Sequence, residues 1–184
     1  TRSKYYTMLE QIYNEPDDVS IRSTMDKFWE AWQELSIHPE NIASRQAIVT
    51  RGISLTDTIN QRYESLQGVN TLINGDIDAT VKQINNYAEQ IAALNGEIVR
   101  SRGMGDNPND LLDQRDLLVD KLSELVNCTA SDRDKDEFMV HVDGRVLVQG
   151  SIPRSFDLRT VIDNNGNPRL IWGDTKNDAV VKGG

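Results

Sequence analysis

The sequence predicts an α+β protein: an elongated antiparallel helical bundle or coiled coil built on one very long helix, followed by a small C-terminal β-hairpin domain. Three observations predict it. First, a set of residues recurs at steps of four and three as Ile59, Tyr63, Leu66, Asn70, Ile73, Ile77, Thr80, Ile84, Tyr87, Ile91, Leu94 and Ile98. Only Asn70 and Thr80 in it are polar, and so narrow a seam belongs to a coiled coil, not to the broader stripe of a globular-core helix. Second, a short loop of helix terminators ending at Pro108 is followed by another apolar helical pattern, so the two helices must fold back on each other. Third, past Asn127 the apolar period changes from 3.6 to 2, with Asp143-Gly144 between two strand-like runs, the strongest short hairpin signal.

Taken in order, residues 1–14 read as a short helix with Tyr5, Met8, Leu9 and Ile12 on one side. Pro16 breaks it, and Asp17 or Ser20 can cap a second helix over about residues 20–36. Ile21, Met25, Phe28, Trp32 and Leu35 form its apolar face, widened by Trp29, and the helical spacing of the aromatics reads as packing and not as a ligand cage. Pro39 suits the first position of a third helix, where its missing N–H costs nothing. That helix is expected to run unbroken from 39 to 101, with Gly52, Gly68 and Gly75 as weak points, a rod of about 90 Å at 1.5 Å per residue. The break at Pro16 is expected to be a bend, so that Tyr5, Met8 and Ile12 pack between Tyr63 and Ile73. One flank of the seam from Ile59 to Ile77 should stay open for a helix from outside these residues.

A fourth helix, about 109–127, carries two rows, Leu111, Leu118, Leu125 and Leu112, Val119, Val126, with Leu122 between them. In the antiparallel register Ile98 faces Leu111, Ile91 faces Leu118 and Ile84 faces Leu125, while Arg115 comes level with Leu94 and Asn95. A lone arginine on an apolar face is a structural one, held by backbone or amide oxygens and a neighbouring carboxylate. The candidate helix-packing and interface residues are thus Ile59, Tyr63, Leu66, Ile73, Ile77, Ile84, Ile91, Leu94, Ile98, Leu111, Arg115, Leu118, Leu122 and Leu125. Thr129 to Asp136 reads as a polar connector. Phe138–Val142 and Arg145–Val148 make the first hairpin; Phe156–Ile162 and Arg169–Trp172 make a second about the turn at 163–168. The division is expected near Ala130, into a helical domain, 1–129, and a truncated β domain, 130–184.

Composition narrows the function. With 29 acidic and 20 basic residues the formal charge is −9, so the basic face that phosphate neutralisation needs is lacking and nucleic acid is not an expected partner. No apolar run is long enough to cross a membrane. Cys128 is the single cysteine and His38 and His141 the two histidines, which leaves no metal or nucleophile set at motif spacing. Asp132-x-Asp134-x-Asp136, with Asp143 in twelfth place, copies the opening of an EF-hand loop but carries Glu137 where glycine must turn. No catalytic, cofactor or metal residue is assigned, and no cofactor. Both ends of the sequence read as cut from something longer.

The stretch Val81-x-x-Ile84-Asn85, then Gln90-Ile91-Ala92-Ala93-Leu94-Asn95, Asn109-Asp110-Leu111-Leu112-Asp113-Gln114-Arg115-Asp116 and Leu122-Ser123-x-Leu125-Val126, resembles the flagellar hook-associated protein 1 family. Upstream, Asn14-Glu15-Pro16, Phe28-Trp29, Trp32-x-x-Leu35-Ser36, Pro39-Glu40 and Arg45-Gln46 are similar to it in the same order; downstream, Leu147-Val148-x-Gly150 looks like its hairpin. The matches cover about residues 1–150. The resemblance implies a non-catalytic structural protein of the bacterial flagellum, exported by the flagellar apparatus and joining hook to filament outside the cell. Its partners would be hook and filament subunits and further copies of itself. This chain would be the middle of such a molecule, without the polymerising terminal helices, and monomeric. The rival readings are a coiled-coil adaptor or adhesin that binds a partner helix, and a calcium module at 132–143.

Overall fold

The computed structural model describes residues 2–13, 20–134, 137–153, 156–159 and 169–173. The chain is α+β, with helices α1 (Arg2–Tyr13), α2 (Ile21–Ile37), α3 (Ile42–Gly103) and α4 (Asn109–Ser123). Strands β1 (Cys128–Asp134), β2 (Glu137–Val142), β3 (Arg145–Gln149), β4 (Ile152–Pro153), β5 (Phe156–Arg159) and β6 (Arg169–Trp172) follow. It parts into two compact units, Thr1–Ile73 and Asn74–Gly184, and α3 belongs to both.

In the first unit Tyr5, Met8, Leu9 and Ile12 of α1 are half-buried while Tyr6 and Tyr13 are exposed. The bend expected at Pro16 lies outside the described residues. Ser20 caps α2, its hydroxyl accepting from Ser23 N–H at 3.0 Å, which satisfies one of the donors a helix start leaves over. The buried face of α2 is turned partly away from the expected one. Ile21, Phe28 and Leu35 of the expected face are half-buried, with Ala31, and Thr24 is buried, whereas Met25, Trp29 and Trp32 are exposed. The three exposed residues each follow a residue of the buried side, so the face keeps its Ile21-Phe28-Leu35 spine and turns by roughly half of one residue's 100° step. Thr24 tolerates burial because its hydroxyl donates back to Ser20 O and Ile21 O. The start of α3 also differs from expectation. Pro39 lies in the turn, and the cap is Asn41, whose Oδ1 accepts from Ala43 N–H at 2.9 Å; an amide acceptor supplies what a proline cannot.

In the second unit α3 ends in a Schellman closure. Gly105 adopts φ 90°, Gly105 N–H donates to Arg102 O and Asp106 N–H to Ser101 O, the arrangement that satisfies the last carbonyls. Helix α4 stops at Ser123, short of the expected 127, because Cys128 already pairs with Val142 as the start of β1. The expected connector at 129–136 is therefore largely a strand. Its residues from Thr129 to Arg133 are exposed, so β1 satisfies its backbone on β2 while both faces meet water, and no alternation marks it.

The sheet is an antiparallel meander in the order β1-β2-β3-β4, and β5 pairs β6 separately. Asp143 at φ 51° and Gly144 at φ 80° make the expected tight turn, since a type I′ turn needs positive φ at both central positions. Val140 pairs Val148 but His141 pairs Val146, so Leu147 is the extra residue of a bulge, and both Leu147 and Val148 are wholly buried. One core joins Val81, Ile84, Ala88, Ile91 and Ala92 of α3, Leu122 and Val126, and Phe138, Val140, Val142, Leu147, Val148 and Trp172 of the strands. This shared core is why the compact units divide near residue 73 and not at the expected change of period near Ala130.

Candidate assembly site

The candidate interface residues fall into two groups. In the first unit the inward face of α3 carries Ser44, Thr58 and Val69, and a Cβ on Gly52 would stand 3.6 Å from the Phe28 ring of α2. Small groups there let the two helices close on each other. The large apolar residues stand elsewhere: Ile59 is 46% exposed and Tyr63 63%, with Leu66 and Ile73 half-buried. Ile42, Val49 and Ile53 are exposed as well, and so are Met25, Trp29 and Trp32 of α2. These exposed apolar side chains all belong to the first unit.

In the second unit Ile77 is 40% exposed, and Ile84, Ile91, Ile98, Leu122 and Arg115 are buried. Leu94, Leu111, Leu118 and Leu125 are half-buried. Ile84, Ile91 and Leu122 meet in the core, with Leu118 and Leu125 packed against it. Leu94 and Leu118 also line an open groove of about 340 Å³ between α3 and α4, with Gln90, Ala93, Glu97, Gln114 and Leu117. Gln90–Glu97 of α3 thus lies beside Gln114–Leu118 of α4.

Arg115 and Asn95 line one narrow cleft with Ile98, Val99, Arg102, Asp132 and Phe138. The bonding of Arg115 differs from expectation. The guanidinium stacks 3.6 Å above the centre of the Phe138 ring, a cation–π contact that the low-dielectric core strengthens. Asp116 Oδ1 stands 3.5 Å from Arg115 Nε, yet Nε makes no hydrogen bond, so proximity here is charge attraction without directed bonding. The amide does the pinning instead. Asn95 Nδ2 donates to Gly150 O at 2.7 Å, Gly150 N–H donates to Phe138 O at 2.9 Å, and a Cβ on Gly96 would stand 3.6 Å from Ser151 Cβ. The β3–β4 turn is thereby latched to α3. Gly150 holds φ 53°, a conformation that favours glycine. Sequence reasoning missed Phe138 and Gly150 as partners; Leu147-Val148-x-Gly150 carried the only signal.

Asp132 and Asp134 lie in β1, paired with Phe138 and Glu137, on extended backbone and not on a loop; Asp136 is outside the described residues. Among the described residues no cluster of three or more His, Cys, Asp or Glu could hold a metal ion, and no helix is long and apolar enough to cross a membrane. Cys128 is half-buried, and burial pushes its thiol pKa up.

A helical shaft with exposed apolar faces and a latched sheet has a match among known proteins. The family model described as the flagellar hook-associated protein FlgK helical domain matches residues 6–184. The chain belongs to this family. Among relatives, flagellar hook-associated protein 1 of Bacillus subtilis (strain 168) is 31% identical over 164 residues, 89% of this chain and 32% of the relative. Flagellar hook-associated protein 1 of Escherichia coli (strain K12) is 38% identical over 138 residues, 73% of this chain and 25% of the relative. The solved structure of the flagellar hook junction protein FlgK from Burkholderia pseudomallei superposes with a TM-score of 0.83 at 23% identity, over 99% of this chain and 35% of that one. At that identity the likeness is one of fold. The chain spans about a quarter to a third of the length of these relatives.

Proposed function

We infer that this chain is a structural, non-catalytic segment of the bacterial flagellum, acting where hook meets filament through helix packing. The observation that carries the reading is the FlgK family match across residues 6–184, and the exposed apolar side chains on α2 and α3 supply its physical means. In the full-length protein a helix from outside these residues would cover the flank that leaves Ile59, Tyr63 and Ile77 in water, and neighbouring axial subunits would cover the rest. Hook and filament subunits and further copies of the protein are the partners this reading expects, outside the cell after export by the flagellar apparatus. On this reading the isolated chain would be monomeric.

Replacing the corresponding segment of a flagellated bacterium's hook-associated protein 1 with this chain tests the reading. Cells of that strain should keep filaments attached to their hooks and swim. Hooks that form normally but shed filament subunits into the medium, with the chimera folded and exported, would contradict it.

A further inference from the structure

We propose that the cleft between α3, α4 and the sheet binds a single structural water, bridging Arg115 Nε–H to Asn95 Oδ1. Arg115 is 7% exposed and Asn95 3%, and these two atoms are buried without a hydrogen-bond partner among the described residues. Each is left over after its residue's other groups are placed: Asn95 Nδ2 is committed to Gly150 O at 2.7 Å, and the guanidinium plane is committed to the Phe138 ring at 3.6 Å. Both residues line the same cleft, together with Ile98, Asp132 and Phe138. The space in it open to the centre of a water molecule is about 10 Å³, enough for one water and too little for anything larger.

The chemistry of the two atoms selects the occupant. Nε–H only donates and the amide oxygen only accepts, so one water can accept from the first and donate to the second. Asp132 lines the same cleft, and a third hydrogen bond there would bring the water to the roughly three usual for buried waters. An anion would be drawn by Arg115 and by Arg102 on the same wall, but it carries no hydrogen to offer Asn95 Oδ1. A metal cation could meet that oxygen only beside an arginine that repels it. The water thereby joins α4 to α3 at the level where Asn95 already holds Gly150, so that the helix register and the sheet are fixed at one place.

A crystal structure of this chain at a resolution that shows ordered waters tests the proposal, with a second crystal soaked in bromide. One peak within about 2.7–3.2 Å of both Arg115 Nε and Asn95 Oδ1 is expected, with no anomalous signal there after the soak. In solution, magnetisation should pass from Arg115 Nε–H to a water that stays longer than the molecule's tumbling time. A direct Nε–H···Oδ1 bond, an empty cleft, or a bromide peak in place of the water would each overturn it.

Discussion

Arg115 shows how one side chain does two jobs once the fold surrounds it. Its position on an apolar face was readable, because no other residue of that face is charged; its partner was not, because Phe138 lies on another element and nothing in the spacing links them. Arg115→Met keeps the stem against the ring and removes the cation–π contact, so the expected loss is about 1 kcal/mol, read from urea melts. Leu122 carries more. It is wholly buried, and Leu122→Ala should cost about 2–5 kcal/mol, whereas half-buried Leu118→Ala should cost distinctly less. Equal losses at the two positions would mean that the core is not centred on Leu122. Burial raises the Cys128 thiol pKa, and the thiolate is the nucleophile. Alkylation of Cys128 at neutral pH should therefore be slower than that of a free thiol and should accelerate as pH rises; a rate matching a free thiol's would contradict the burial.

At the scale of elements, what was legible follows from how strongly each pattern repeats. The long helix and the first hairpin were readable because one has a period that runs over many residues and the other a turn of Asp143-Gly144; of the second, the pairing of β5 with β6 is seen, and the expected 160–168 lies outside the described residues. Strand β1 was not, since a strand with Thr129 to Arg133 in water has no apolar face to alternate. The phase of α2 was misleading for a different reason. Met25, Trp29 and Trp32 look like core by composition, but Thr24 is the buried residue and the Phe28 ring lies against Gly52 of α3; size alone does not tell which face packs. The helix α3 keeps Gly68 in its interior, where a Cβ would meet nothing within 4 Å. Gly68→Ala should raise the stability of the isolated chain by about 0.5–1 kcal/mol, measured by thermal melting. A loss would show that the helix is locally distorted there.

At the scale of the whole molecule, the candidate site was half legible. The seam named from the sequence divides in two. Ile84, Ile91, Ile98 and Leu122 serve the fold of the second unit, while Ile59, Tyr63 and Ile77 stay in water; a period identifies a seam, not what covers it. On the proposed function, the exposed residues are the part of the seam that other chain would complete. The direct measurement is to place Ile59→Asp and Tyr63→Asp together in the full-length protein and count attached filaments by electron microscopy. Because both residues are exposed here, the isolated variant chain should melt close to the parent, within about 1 kcal/mol for the two substitutions together. Cells should then show hooks without filaments. Normal filaments on cells carrying the double variant would contradict the account.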